Sequence, residues 1–517
     1  MVCKNGRSKR RLMANSKGHQ ERGEDRPSSL PDDIRIQILS RLPLRSAIVT
    51  DCLSSRWRGL WTHITSINIQ AGMSKYSDEF LNALDEIRSR IVSPFIYSFT
   101  FESLHGVRNT FGPPSLDSWV QQICDRNVRE LKLTWRFCCD DWERPKFPSV
   151  IFRTQSLVSI ELGSTLYWVL PDDCEPINLP NLKNLSIKIC PSICDWVEKQ
   201  INLCPSLEQL SLNCEIYYWN LLGRRIMCSN QNLRRLSINF GSFTINHKVV
   251  INTPKIEYLA IRAPKLSTFC FATEPVLLSE AKIEIGLART TDAILGEVNK
   301  VMSKFYNDVS NVRLLGLSVS SLDSVSTVFR NTTCLTLDMQ DSNSISIVLS
   351  VLELFPILDV LTLKFDHIGG SNLDYYSLPT LGYVRDLRRV IKRIEIESHF
   401  PYNHLSVGYS FLALIEYFLS NAIDLEHFRV KLYPGRIGKS DKSVELEICK
   451  LLYQCPMISK GCEVEFVGRC FTMSRKAGPK VKRLNGRGMS FSCSTWKSLL
   501  EYGFYSPRDK VVWSTYK

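Results

Sequence analysis

The sequence predicts an α/β protein: a small helical module, then a solenoid with a parallel sheet and a helical or irregular convex side, then an α+β cap at the C-terminal end. Apolar residues recur at helical spacing near the N-terminus, at strand spacing through the body, and at helical spacing again after residue 410. With 517 residues, of which 44% are hydrophobic and 23% charged, the chain is large enough for more than one domain.

The helical module spans residues 27–65. Pro31 lies at or beside a first helical position, and Ile34, Ile38 and Leu42 follow at steps of four, so they line one face before Pro43 ends the helix. Ser54 or Ser55 is predicted to cap a third turn. Further apolar residues of the module are Ala47, Ile48, Cys52, Leu53, Trp57, Leu60 and Trp61.

About forty residues cannot bury this much apolar surface among themselves, and exposed apolar faces mark partner sites. The module is therefore predicted to be covered by another protein, the alternative being an ordinary internal helical subdomain. The predicted contact residues are Leu30, Pro31, Ile34, Ile38, Leu39, Leu42, Pro43, Cys52, Leu53, Trp57, Leu60 and Trp61.

Two stretches of this module, LPDDIRIQILSRLP and TDCLSSRWRGLW, resemble the F-box of plant F-box proteins with leucine-rich repeats. The family pattern is L-P-D-E-I-L-x-x-I-L-S-x-L-P, followed some eight residues on by L-S-x-R-W-x-x-L-W. Arg35, Val49 and Cys52 depart from the pattern without removing an apolar anchor. The resemblance implies docking on the Skp-type adaptor of a cullin ubiquitin ligase, and through that adaptor on the cullin.

The body repeats the unit apolar-x-x-apolar-x-apolar. The steps from Leu133 through Leu162, Ile187, Leu212 and Ile238 to the next copy are 29, 25, 25, 26 and 23 residues, close to the leucine-rich-repeat period. No unit can bury its apolar face alone, so roughly a dozen units must stack into one solenoid. The copies end at Leu133, Leu162, Ile187, Leu212, Ile238, Ile261, Phe271, Ile285, Leu317, Leu337, Leu363, Ile396 and Val430.

The spacing becomes irregular after Ile285, which predicts insertions, especially over Gly369–Leu381 and Glu397–Tyr409. LDSWVQQICDRNVRELKL and FPSVIFRTQSLVSIELG resemble the same plant family. Residues 411–466 read as two helix–strand pairs and resemble its C-terminal FBD segment, although Cys455-Pro456-Met457-Ile458-Ser459 departs from the usual pattern there. Such a segment would close the exposed apolar end of the solenoid.

The net charge of +13 lies in the two tails. Residues 1–26 carry eight basic and three acidic residues, residues 469–517 carry eleven and two, and the body is left at −1, which argues against nucleic-acid binding by the body. Each tail is read either as a nuclear-import signal or as a solvated flexible appendage. The predicted domains are residues 1–26 (disordered basic tail), 27–65 (F-box), 66–127 (connecting helix and first strand unit), 128–410 (leucine-rich repeats), 411–468 (FBD-like cap) and 469–517 (basic flexible tail).

The sequence shows none of the motifs looked for in enzymes or metal proteins. There is no phosphate-binding loop, no dinucleotide motif and no nucleophile elbow, and Cys138-Cys139 and Cys190-x3-Cys194 lack partners at zinc-site spacing. No catalytic residue, metal or cofactor is predicted. Because we find no membrane-spanning run and no secretory signal, we expect a location in the nucleus, the cytoplasm or both, with no membrane partner.

The outward-facing strand positions of the regular repeats form the predicted target surface. Lys188, Arg235 and Arg262 outnumber the acids among them, so an acidic or phosphorylated patch on the target is conceivable. The resemblance implies that the chain is the substrate-recognition subunit of a Skp-cullin-F-box ubiquitin ligase, the alternative being a leucine-rich-repeat scaffold that acts without a ligase. The predicted target-binding residues are Glu130, Lys132, Asn184, Ser186, Lys188, Gln209, Ser211, Asn213, Arg235, Ser237, Asn239, Tyr258 and Arg262.

Overall fold

A computed structural model gives the fold of most of the chain. It describes residues 26–71, 78–103, 113–135, 148–164, 177–188, 198, 200–214, 225–240, 248–263, 267–286, 292–318, 325–339, 345–365, 391–399, 409–433, 442–468, 471–475 and 478–481. The tails 1–25 and 482–517, the insertion over Gly369–Leu381 and the pairs Cys138-Cys139 and Cys190-Cys194 lie outside these residues.

The N-terminal module is helical, as predicted, but its third part is not a capped helix. Pro31 occupies the position before the second helix, and Asp32 and Asp33 lie in its first turn, where the helix dipole favours carboxylates. Residues 54–59 form turns without any capping bond from Ser54 or Ser55, and short 3-10 turns cover Thr50–Cys52 and Leu60–His63. The helices of the described residues include α1 (Arg26–Ser29), α2 (Asp32–Leu39), α3 (Leu44–Val49), α4 (Asp78–Arg90), α5 (Pro113–Cys124), α6 (Asp292–Asp308), α7 (Ile345–Leu352), α8 (Tyr409–Asn421) and α9 (Lys442–Gln454).

Most strands join one sheet of 17 strands, in which each strand from β1 to β18 lies parallel to its neighbours. The order along the sheet follows the sequence except that β7, β9 and β11 are left out. The strands are β1 (Ser66–Ala71), β2 (Ser98–Ser103), β3 (Glu130–Trp135), β4 (Ser159–Ser164), β5 (Asn184–Lys188), β6 (Gln209–Cys214), β7 (Arg225–Ser229), β8 (Arg235–Phe240), β9 (Lys248–Asn252), β10 (Tyr258–Ala263), β11 (Thr268–Phe271), β12 (Glu280–Ile285), β13 (Leu314–Ser318), β14 (Cys334–Met339), β15 (Val360–Phe365), β16 (Arg393–His399), β17 (His427–Tyr433), β18 (Glu463–Val467), β19 (Phe471–Ser474) and β20 (Gly478–Val481).

The omitted strands correct one predicted repeat. β7, β9 and β11 form a separate parallel sheet of three strands, with β9 in the centre. The copy ending at Phe271 therefore belongs to this smaller sheet and not to the main one, because the return segments around it are themselves extended. Phe271 packs instead on Phe305 of α6, with the two rings stacked at 5.6 Å.

The register aligns the repeat units one on another. Leu131, Ile160, Leu185, Leu210 and Leu236 are successive partners across five strands, and the next apolar position of each unit aligns in the same way. Nearly all of these side chains are buried in one continuous core that also includes residues of the helical module. Since side chains alternate along a strand, the intervening residues lie on the outer face of the main sheet.

The C-terminal part continues this sheet through β17 and β18. α8 and α9 lie where the sequence placed helices, and Leu414, Phe418 and Leu425 are buried as expected. β19 and β20 then pair antiparallel, so the direction of the chain reverses at this end of the sheet.

Candidate protein-docking surfaces

Helix α2 has two stripes of opposite character. Arg35 and Leu39 are 2% and 0% exposed, whereas Ile34 and Ile38 are 41% and 39% exposed. Residues four apart lie on one face of a helix, so α2 turns one pair into the protein and offers the other pair to solvent. Ile34 and Ile38 thus lie on the open surface that the sequence assigned to them.

Arg35 holds this helix in place. Its guanidinium donates hydrogen bonds to the carbonyl oxygens of Leu30 (3.1 Å) and Arg56 and to the carboxylate of Asp32, and it lies 5.5 Å from the centre of the Trp57 ring. A buried cation is tolerated only when its donors are satisfied, as they are here. Arg35 therefore joins the turn before α2 to the Trp57 turn.

Three more hydrogen bonds fix the turns that follow α3. Asp51 accepts hydrogen bonds from the backbone N–H of Gly59 (2.9 Å) and from the indole N–H of Trp61 (3.1 Å), and Gly59 adopts φ +77°, which favours glycine. The Trp57 indole N–H donates to the hydroxyl of Ser28 at 2.8 Å. Both tryptophans are thus held as internal parts of the module.

The predicted adaptor-contact residues divide by burial. Leu39, Trp57 and Trp61 are in the core. The prediction that they form part of the exposed adaptor-contact surface is therefore corrected, and these three side chains support that surface from inside. Val49, read only as a departure from the family pattern, is 59% exposed and was missed as an apolar surface residue. The exposed predicted residues are Pro31, Ile34, Ile38, Cys52 and Leu53, and the half-buried ones are Leu30, Leu42, Pro43 and Leu60.

Hydrogen bonds tie the module to the start of the main sheet. The Ser40 hydroxyl accepts a bond from the Thr65 N–H at 3.1 Å, and the Ser93 hydroxyl donates to the Ile64 carbonyl at 2.5 Å. The Val92 N–H donates to the Thr62 carbonyl at 2.9 Å. The module is therefore built into the solenoid's first turn.

On the outer face of the main sheet, each strand presents residues near its start, its middle and its end. Across neighbouring strands these residues form three rows, which we call the leading, middle and trailing rows. In register, Asn184, Gln209, Arg235 and Tyr258 are leading, and Ser186, Ser211 and Ser237 are middle. In β3, Glu130 is leading and Lys132 is middle. The remaining predicted target residues, Lys188, Asn213, Asn239 and Arg262, are trailing, and all of the predicted residues are at least partly exposed.

Long charged side chains flank the centre of this face, and their charges are paired. On one side Lys132 lies 2.9 Å from Glu102 and 3.4 Å from Glu161, and the hydrogen bond to Glu102 is the main reason that the pKa of Lys132 is raised. On the other side Glu284 lies 2.6 Å from Lys282 and 3.4 Å from Arg262. The charge of Arg262 is therefore partly neutralised within the chain.

The strands near the C-terminal end carry a denser network of pairs. Glu397 lies 3.1 Å from Lys431 and 3.8 Å from Lys364, and it accepts a hydrogen bond from the Tyr433 hydroxyl at 2.9 Å. Burial disfavours the charged carboxylate, but these donors outweigh burial and lower the pKa of Glu397. Arg429 bridges Glu395 and Glu465 in the same way. The sequence analysis did not include these strands in the target surface.

Between the two charged flanks lies a depression of about 270 Å³. Its floor is the middle row of β5, β6 and β8, where Ser186, Ser211 and Ser237 replace the long side chains of the flanks. At its rim the Arg235 guanidinium stacks on the Tyr258 ring, 4.0 Å from the ring centre. The centre of the predicted target surface is therefore recessed and rich in hydroxyl groups.

Both the helical module and the repeats match models of known protein families. Residues 27–66 match the F-box domain, and residues 116–363 match the leucine-rich repeats of FBD-associated F-box protein At5g56370. The chain belongs to the plant F-box/FBD/LRR family.

Several Arabidopsis thaliana members of this family resemble the chain over most of its length. F-box/FBD/LRR-repeat protein At5g22660 is 25% identical over 483 residues, covering 88% of this chain and 99% of its own. FBD-associated F-box protein At1g66310 is 25% identical over 458 residues, covering 84% and 94%. F-box/LRR-repeat protein At3g26922 is 29% identical over 328 residues, covering 61% and 95%.

The described residues hold no group of three or more His, Cys, Asp or Glu side chains placed to bind a metal ion. In the same part of the chain, no helix has the length and apolarity to cross a membrane. Six of the nine cysteines characterised there are buried, and burial raises the pKa of the Cys124 and Cys204 thiols to about 11. These thiols are inert packing residues.

Proposed function

We propose that this protein is the substrate-recognition subunit of a Skp-cullin-F-box ubiquitin ligase. One observation carries the proposal: the F-box module leaves Ile34, Ile38 and Leu53 exposed while the buried Arg35 network fixes the helix that presents two of them. Leu53 is 67% exposed, so three large apolar side chains of this small module face solvent. A Skp-type adaptor that covers these side chains would remove them from water.

The outer face of the main sheet is the proposed surface for a protein target. In stacked-repeat proteins the sheet lines an extended curved surface, and here that face carries polar side chains rather than an enzyme's reactive groups. In this proposal the chain brings the target to the ligase, and ubiquitin transfer is carried out by other subunits.

Residues 409–468 are proposed to be an FBD-like unit that closes the apolar end of the solenoid. α8 and α9 cover the core beside β17 and β18, and Phe418, Ile448 and Phe466 are fully buried there. The last unit of a solenoid must differ from the others because no further repeat covers it.

Co-precipitation with purified Skp-type adaptor tests the adaptor proposal. In the Leu30→Ala, Pro31→Ala double variant the carbonyl oxygens that accept bonds from Arg35 Nε and from the Arg35 backbone N–H remain. The fold should therefore persist while adaptor binding is lost. Val276→Ala is the matched control, because Val276 is 81% exposed and lies far along the chain from the module. Unchanged adaptor binding by the double variant would instead favour a scaffold that acts without a ligase.

A further inference from the structure

The central depression lies in line with apolar residues of the leading row farther along the main sheet. This alignment adds chemical detail to the proposed target surface. We propose that the depression and these residues bind one extended target segment that carries an anionic side chain and, four to six residues away, apolar side chains. The inference rests on the proposed function, since it describes what the target-binding face recognises.

The anionic group follows from Arg235. Among the described residues, no carboxylate lies within ion-pair distance of this guanidinium, whose face is covered by the Tyr258 ring while its N–H edge stays free. Glu161, which also lines the depression, shares the Lys132 ammonium with Glu102. The lining thus carries one acidic and one basic side chain, and the Arg235 guanidinium is the one that has no ion-pair partner in the part of the chain that the structure describes.

The floor supplies further donors. Ser186, Ser211 and Ser237 are successive register partners, so their hydroxyl groups recur roughly every 4.8 Å beside Arg235. An arginine fork next to hydroxyl donors suits the oxygens of a carboxylate or a phosphate ester. Both groups occur on protein side chains and share this oxyanion chemistry.

The apolar part lies farther along the same leading row. After Tyr258 the row continues with Glu280 and then with Leu314, Cys334 and Val360, whose side chains are all at least partly exposed. Leu314 is 39% exposed, and Gly316 beside it is buried against the Lys282 side chain. Glu280 between the two parts disfavours a second acidic residue at that point of the target.

Strand spacing sets the distance between the two parts. Leu314 is three strands from Arg235 and Cys334 is four, which corresponds to roughly 14 Å and 19 Å at about 4.8 Å per strand. An extended peptide spans about 3.3 Å per residue and its side chains alternate, so the apolar side chains belong about four and six residues from the anionic one, on the same side of the peptide.

Fluorescence anisotropy with labelled decapeptides on the full chain tests this proposal. The probes are Gly/Ser peptides with glutamate or phosphoserine at position 2 and leucine at positions 6 and 8, together with the reversed order. Matched peptides carry glutamine at position 2, or serine in place of both leucines. We expect one order of the anionic peptides to bind at least tenfold more tightly than its glutamine counterpart.

Variants assign the effect to the depression. Arg235→Gln should remove the preference for the anionic peptide, whereas Arg234→Gln should keep it, because Arg234 pairs with Glu257 outside the depression. Leu314→Ser should weaken the leucine peptides alone. A stronger response to phosphoserine than to glutamate would identify a phosphorylated target segment, and an equal response a carboxylate.

Several results would overturn the inference: no binding of any peptide, equal binding of anionic and glutamine peptides, or equal losses in the two arginine variants. Adaptor co-precipitation on the same preparations separates this failure from failure of the proposed function. Retained adaptor with no peptide preference refutes only the inference, whereas absent adaptor binding refutes the proposed ligase role.

Discussion

The F-box surface and the outer face of the main sheet differ in how their charged residues are used. In the F-box the key cation, Arg35, is buried, and what faces solvent includes Ile34, Ile38, Val49 and Leu53. On the sheet most leucines and isoleucines are buried, and what faces solvent is mainly polar and charged, with Leu314 as an exception. The chain therefore has two different surfaces. On the F-box, aliphatic side chains face solvent and an arginine is buried, whereas on the main sheet most aliphatic side chains are buried and polar side chains face solvent.

Because of this difference, we expect the two surfaces to respond differently to solution conditions. Burial of apolar side chains is insensitive to moderate salt, whereas interactions among exposed charges weaken when salt screens them. The predictions below test this difference, beginning with the variant for which we expect the greatest loss of binding.

Replacing two exposed apolar residues with charges should have the largest effect. The double variant Ile38→Asp, Leu53→Asp removes two anchors and places carboxylates where the adaptor would exclude water. We expect adaptor affinity to fall by at least about 100-fold, at about 2 kcal/mol per anchor. Calorimetric titration with purified adaptor measures the loss, and Val276→Asp should bind like the wild type.

Removing the Arg35 side chain should lower the stability of the module. Arg35→Ala leaves the carbonyls of Leu30 and Arg56 without their partner, and each such loss costs about 1–3 kcal/mol. We expect the free energy of unfolding to fall by about 2–3 kcal/mol in urea titration. The control Arg41→Ala removes an exposed arginine and should change little; an equal effect of the two variants would contradict the assigned role.

Reversing the charge of the central outer face should reduce target capture without affecting the adaptor. In the double variant Arg235→Glu, Arg262→Glu we expect at least a tenfold loss of the proteins recovered by proximity labelling, with adaptor binding intact. Raising salt from about 0.1 to 0.5 M should likewise weaken target capture several-fold and adaptor binding by less than twofold. If both partners showed the same salt dependence, the contrast between the surfaces would be lost.

The smallest effect should come from the paired charges near the C-terminal end. Because the pKa of Glu397 is lowered in the folded protein, its ionised form stabilises the fold above the unfolded value of about 4.3. That contribution is lost as pH falls through the lower folded pKa. The melting temperature of wild type should therefore fall more steeply than that of Glu397→Gln between about pH 5 and pH 3, and parallel curves would contradict the pairing.

The spacing of apolar residues predicted much of the fold correctly because each repeat unit is a short, local pattern of residues. Leu131 and Leu133, and their counterparts in later units, could be aligned from spacing alone. The strands β7 and β9 were missed because their sequences, RIMCS and KVVIN, lack the full repeat unit, and for the same reason the Phe271 copy was assigned to the wrong sheet.

The docking surfaces were predicted in part. A pattern of apolar residues cannot say which of them turn inward, so Trp57 and Trp61 were assigned to the surface although their indole N–H groups are bonded to Ser28 and Asp51. Arg35 was read as a mere departure because nothing in the sequence shows that two backbone carbonyls converge on it. Charge pairing across strands, such as Arg262 with Glu284, also depends on contacts that only the folded register provides.

Hydrogen exchange measured by mass spectrometry, on the full chain with and without purified Skp-type adaptor, tests most directly the claim that adaptor and target use separate surfaces. We expect the adaptor to slow hydrogen exchange in peptides covering residues 30–53 and to leave exchange in peptides covering β5, β6 and β8 unchanged. Protection of the sheet strands by the adaptor, or no protection of residues 30–53 under saturating adaptor, would contradict this claim.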